Sequence, residues 1–191
     1  MANADKPSGL TPRCHRSGAP YNGAFTVYDI PASDGTALFI GDPVIMVGTG
    51  DSTGKYNGVI QAATGGVICG VVVGFEPLYS NLETKHRLAS TNRKVFVCDN
   101  PDVLFSIQEV SGGTALATTA IGLNVDFVVA AGSTISGLSG VELNNATEAT
   151  TNTLDLKIHR LLNVGDNALG EHAKWLVSIN RHQFANQVAG I

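Results

Sequence analysis

The chain has 191 residues and a net charge of −4, with 43% hydrophobic, 6% aromatic and only 15% charged residues. That length suits one sizeable domain, able to bury roughly 70% of its unfolded surface without help from a disulfide or a metal. Its twelve Lys and Arg form no dense run, and counterion release on nucleic acid needs concentrated positive charge, so we expect no nucleic-acid partner.

Residues 1–23 read as an extended N-terminal arm. The opening Met1-Ala2-Asn3-Ala4-Asp5-Lys6-Pro7 has no apolar core of a secretion signal. Pro7, Pro12 and Pro20, with Gly9, Gly18 and Gly23, interrupt both helix and sheet. Such an arm is either disordered or ordered by lying on another surface. Leu10, Pro12, Arg13, His15, Pro20 and Tyr21 favour the second, because they could anchor on a partner.

Residues 24–191 read as an all-β domain. Phe25–Ile30, Val103–Gln108, Leu154–His159 and Trp175–Asn180 alternate, the period of half-buried strands in antiparallel sheets. Pro43–Val47 and Val67–Val73 are apolar on both faces, which suits strands buried inside a sandwich or barrel. Gly70 within the second run predicts a bulge, a bend or a close backbone approach. Gly48–Gly54 reads as a turn-rich loop and Asn57-Gly58 as a type I′ dipeptide. Asp99–Asp102 separates two strands as a hairpin turn would. Leu154, Ile158, Leu161 and Leu162 also fit a 3.6 period, so that strand could end in a helical turn. Short strands between Gly, Asn and Pro turns predict a single β-sandwich, jelly-roll or barrel-like domain.

Chemistry is sparse. Gly54-Lys55 lacks the glycine five residues before it and the Ser/Thr after it that a phosphate loop needs. In Ser136-Gly137-Leu138-Ser139-Gly140, Val141 stands where a nucleophile elbow has its last glycine. Of the five histidines, only Glu171-His172 with His159 or His182 could form a metal cluster, and that spacing has no recognised geometry. Cys14, Cys69 and Cys98 are odd in number, contain no Cys-x-x-Cys pair and read as reduced thiols. The Gly65–Phe75 run is too short to span a bilayer. We expect no catalytic residue, no cofactor, no metal and no membrane partner. Paired acids acting on glycans stay open from sequence, since only their spatial separation matters.

Several stretches taken together resemble a family. Gly9-Leu10-Thr11-Pro12-Arg13 with His15 and Gly18-Ala19-Pro20 is similar to the start of small structural proteins encoded beside the major capsid gene of tailed phages. Ala37–Val44, Val97–Phe105, Gly132–Gly140 and Asp166–Phe184 resemble further patterns of that group, in the same order. Cys14 departs from the first pattern. The resemblance implies an all-β head-decoration or cement protein with no catalytic residues. It would bind the major capsid protein on the capsid exterior after assembly in the host cytoplasm. Closed symmetry implies self-association as well, as a homotrimer or homodimer. The alternative is a tail or fibre β-module that contacts the host surface.

Overall fold

A computed structural model describes residues 3–185; the last stretch of the expected β-domain, residues 186–191, lies outside them, as do residues 1–2 of the expected arm. The protein is all-β. Its strands in chain order are β1 (Thr11–His15), β2 (Thr26–Ile30), β3 (Pro43–Gly50), β4 (Asn57–Gln61), β5 (Gly70–Phe75) and β6 (Arg93–Cys98). There follow β7 (Val103–Gln108), β8 (Asn124–Val125), β9 (Phe127–Val128), β10 (Glu142–Leu143), β11 (Leu156–Leu161) and β12 (Lys174–Ile179). Among the described residues helix is confined to a single 3-10 turn, Thr118–Ala120.

Strands β2-β4-β3-β5-β6 close into a barrel, and β1-β7-β12-β11-β8 form an antiparallel sheet beside it, with a small β10-β9 ribbon. The barrel closes where Asp29 of β2 pairs in parallel with Gly58 of β4. The barrel interior holds Tyr28, Ile30, Val44, Val59, Val72, Val95 and Val97. A larger cluster, with Phe105, Ile107, Phe127, Leu156, Ile158, Trp175 and Val177, lies between sheet and barrel. Strand alternation explains why β5 is apolar on both faces: Val72 points into the barrel and Val71 into the larger cluster. Gly70 makes the expected close approach, since a Cβ there would strike the Cys98 carbonyl.

Three expectations are corrected. Asp99–Asp102 does not form a hairpin: β6 pairs with β2 and β5, so the closed barrel leaves it no edge. β7 pairs instead with β1 and β12, and the turn carries the chain from barrel to sheet. Asn57-Gly58 starts β4, and the chain reverses earlier, where Asp51 Oδ1 accepts from the backbone N–H groups of Lys55 and Tyr56 at 2.8 and 3.1 Å. The helical period near Leu161 comes from a β-bulge between Ile158 and Arg160, which shifts the alternation by one residue while β11 continues as strand.

The expected arm is part of the sheet. Leu10 is 1% exposed in the larger cluster, and Thr11–His15 pair with β7 as its edge strand. The chain then turns back on itself: His15 N donates to the Ala19 carbonyl at 2.8 Å and Tyr21 N to the Arg13 carbonyl at 3.2 Å. Prolines did not exclude a strand here because Pro12 sits on the sheet's edge beside a bulge, where a missing N–H is tolerated. Deleting residues 5–23 would therefore remove core and sheet as well as any contact surface.

Barrel and sheet are locked where Gly9 and Gly41 cross. Leu10 N donates to the Gly41 carbonyl at 2.9 Å, and Gly41 N to the Val72 carbonyl at 2.8 Å. Gly41 has φ +99°, and a Cβ there would run into the Ser8 carbonyl. Gly41→Ala is expected to cost about 3 kcal/mol of strain, read as a lower urea midpoint with an unchanged m-value. An unchanged midpoint would show that the crossing yields freely.

Candidate functional site

Three of the five stretches that carry the resemblance, those around Gly9, Gly41 and Ser139, meet at that crossing. Asp42 is fully buried: its Oδ2 accepts from Phe39 N at 2.8 Å and its Oδ1 from Ser139 Oγ at 2.5 Å. Burial raises its pKa, against the lowering effect of the Ser139 and Phe39 hydrogen bonds. Ser139 Oγ also accepts from Val141 N at 3.0 Å, and Ser139 N donates to the Ile40 carbonyl at 2.8 Å. Ser139 is thus a strut, with its hydroxyl committed to Asp42 rather than to a base. Gly54-Lys55 lies in the Asp51 turn, with no helix after it.

The predicted contact residues divide. Leu10 is core and unavailable to a partner, and Tyr21 packs against the same cluster while its OH donates to the Ala24 carbonyl at 2.7 Å. Leu10, Pro12 and Tyr21 line an apolar cavity of about 290 Å³ with Ile40, Val72 and Leu138. Arg13 and Pro20 are exposed and His15 is half-buried, so the turn at Arg16–Ala19 is the part that faces outward.

Among the described residues His172 clusters with Asp5 and Glu142 rather than with Glu171 and His159 or His182. His182 is buried, its Nδ1 accepts from Phe184 N at 3.1 Å, and desolvation pushes its pKa down to about 4. His86 stacks on Phe39 with ring centres 4.8 Å apart. His172 joins Asp5 and Glu142, whose ligand-type atoms all lie within 4.8 Å of one another. An amide stands at their centre. Gln108 Nε2 donates to Asp5 Oδ1 at 2.9 Å and Glu142 Oε1 at 2.8 Å, and is 3.4 Å from His172 Nδ1. Gln108 Oε1 accepts from Lys6 N at 3.0 Å, which fixes the amide's orientation. The group is a clasp fastening the N-terminal segment to β7, β10 and the approach to β12, with the amide where a cation would sit.

Two further arrangements bring together residue types used in catalysis. His159 Nε2 is 2.9 Å from Ser178 Oγ. Desolvation, then the charges of Arg16, Lys157 and Arg160, lower the His159 pKa. They thereby oppose the imidazolium a general base must become. Asp126 and Asp155 are neighbouring carboxyls, and desolvation raises the Asp155 pKa to about 7. Asp155 is fully buried, however, and its Oδ2 accepts from Gly65 N at 2.8 Å. No substrate reaches it.

The outer face of the five-stranded sheet carries Leu104, Ser106 and Gln108 from β7 and Leu176 and Ser178 from β12. Neither leucine belongs to an apolar cluster. Arg13 Nε donates to Ser106 Oγ at 2.8 Å, and Arg160 pairs across β11–β12 with Leu176. Long cationic side chains laid over a sheet bury what lies beneath while their charges stay in water. Ser106 and Leu176 are accordingly only 4% and 1% exposed. Elsewhere, Tyr79, Leu82 and Ile135 are strongly exposed on two loops tied together by Lys85 Nζ donating to the Ile135 carbonyl at 3.1 Å. Sequence reading missed this face because β1 was taken for an arm and the β11 bulge hides which residues point outward. Comparison with protein-family models, curated proteins and solved structures gives no match.

Proposed function

We propose that this chain is a structural, non-catalytic binding protein of a tailed-phage particle that attaches to the outer capsid surface and cements neighbouring capsomers. The observation that carries this reading is the sheet face opposite the large core, overlaid by the exposed Arg13, Lys157 and Arg160 and flanked by the ordered β1 turn, a charged surface that suits contact with a protein partner. The sequence patterns that resemble such proteins support it too, since three of them build the Gly9–Gly41–Ser139 crossing that locks barrel to sheet. A tail or fibre module gripping a host surface would favour an exposed aromatic groove, and the exposed aromatics Phe25, Tyr79 and Phe184 lie on three separate segments. The exposed loop side chains Tyr79, Leu82 and Ile135 are available for self-association into a closed oligomer.

The test is the copy number of this chain in purified virions, by quantitative mass spectrometry against the major capsid subunit. A ratio near one to one is expected. A few copies per particle would move the protein to the tail, and absence would overturn the virion reading.

A further inference from the structure

The four long strands that make up the open sheet, β1, β7, β12 and β11, contain no Asp or Glu at all, in a chain with 16 acids and a net charge of −4. They carry Arg13, Lys157, Arg160 and Lys174, and Arg16 follows directly after β1. Arg13, Arg16, Lys157 and Arg160 are all exposed. Lys157 pairs with Ser178 and Arg160 with Leu176, so both stand among outward-facing positions, and Arg13 lies over Ser106 in the same row. Arg16 joins them, close enough to His159 for its charge to act there beside those of Lys157 and Arg160. Among the described residues the ion pairs are Arg87–Asp34 and His172–Asp5, so none of these four cations has a carboxylate within ion-pair distance. Acids that border the face include Asp102, whose carbonyl accepts from Arg16 N, Asp99, whose charge reaches His182 alongside that of Arg16, and Asp5 and Glu142 at the Gln108 end.

We propose that this basic outer face is the docking surface, and that its partner is an acidic patch on the capsid protein. The proposal rests on the capsid-binding reading and names the chemistry of that contact. Cations without internal partners on a broadly acidic protein orient it at long range, so that one face approaches an acidic surface while the remainder is repelled. A row of Arg and Lys over small hydroxyls offers carboxylates bidentate guanidinium donors together with a lysine point charge. Nucleic acid fits less well, because the face presents no aromatic platform for bases and the chain's net charge opposes a polyanion.

The experiment measures cosedimentation with purified empty capsids that lack this protein, using the intact chain and the variant R16E/K157E/R160E, which spares the Arg13–Ser106 hydrogen bond. Circular dichroism and a thermal melt verify that the variant is folded, and the neutral variant R16Q/K157Q/R160Q stands in should it not be. Poly-L-glutamate and a 30-base-pair duplex are parallel probes. At least tenfold weaker capsid binding by the variant is expected, with wild-type binding falling as salt is raised. Equal binding by both proteins would overturn the basic face and leave capsid attachment standing. If the wild type ignores capsids, the attachment reading fails. The face then stands only if poly-L-glutamate holds the wild type and releases the variant. Duplex DNA holding the wild type more tightly than poly-L-glutamate would overturn the acidic-protein partner.

Discussion

Arg87→Met is expected to lower the melting temperature by roughly 8–16 °C, the equivalent of about 4 kcal/mol in a domain of this size. Arg87 is fully buried at one end of the barrel. Its Nε donates to the Thr91 carbonyl at 2.8 Å, its Nη2 to the Pro31 carbonyl at 2.8 Å, and its Nη1 to the Thr36 carbonyl. Nη1 also lies 3.4 Å from Asp34 Oδ2, and the Arg87 backbone pairs with Leu38. One planar fork thus closes the two loops that lead into and out of the barrel end. Methionine fills similar volume but strips the Thr91 and Thr36 carbonyls of their donor, a desolvation cost, and leaves the Pro31 carbonyl and Asp34 with only the backbone N–H groups of Asp34 and Thr36. Arg87→Lys is expected to rescue little, since a single ammonium cannot address acceptors fanned around a guanidinium. A melt of Arg87→Met within 3 °C of wild type would mean that water replaces the fork.

Asp155→Asn is expected to stabilise the protein above pH 7 and to flatten part of its pH dependence. As a carboxylate, Asp155 leaves Oδ1 buried with no hydrogen-bond partner; as an acid, it can donate to the neighbouring Asp126. Its pKa rises from an ordinary 3.8 to about 7. The folded state therefore binds the proton that the unfolded chain has released. This stabilisation is complete below pH 4 and is lost as pH rises through 7, amounting to about 4 kcal/mol at one pKa unit per 1.36 kcal/mol. His182 works in the opposite direction, since its lowered pKa removes stability as pH falls from 6.5 through about 4. The informative quantity is therefore the difference between wild type and Asp155→Asn in urea unfolding from pH 4 to 9. That difference should grow in favour of the variant between pH 4 and 7, then level off. A pH-independent difference would place the shared proton elsewhere.

Sequence made the strands legible wherever two faces met different surroundings. Val103–Gln108 and Trp175–Ile179 alternate because one face meets the large core and the other the cation-covered exterior. It misled where a local pattern met a global constraint. Asp99–Asp102 has the chemistry of a hairpin turn, but barrel closure had already used both edges of β6. The prolines before Gly23 suggested an arm because proline disfavours central strands, and local composition cannot reveal that β1 lies at an edge. The outward row was hidden for a similar reason. Arg13, Lys157 and Arg160 are far apart or out of phase along the chain, and only register across β1, β7, β12 and β11 gathers them.

The edges of the open sheet carry a consequence for the proposed attachment of many copies to one shell. Beyond β1 lies its own returning chain, with Cys14 bridged to Pro20, and beyond β8 lies Ala149, which exchanges both backbone hydrogen bonds with Asn124. The barrel, being closed, offers no edge. An uncovered row of amides and carbonyls would invite neighbouring copies to add strands to one another and grow into fibres. Here the returning chain and Ala149 end much of the hydrogen-bond ladder within each copy, so crowding many of them side by side leaves little free backbone and shifts association toward side chains, which can be reversed.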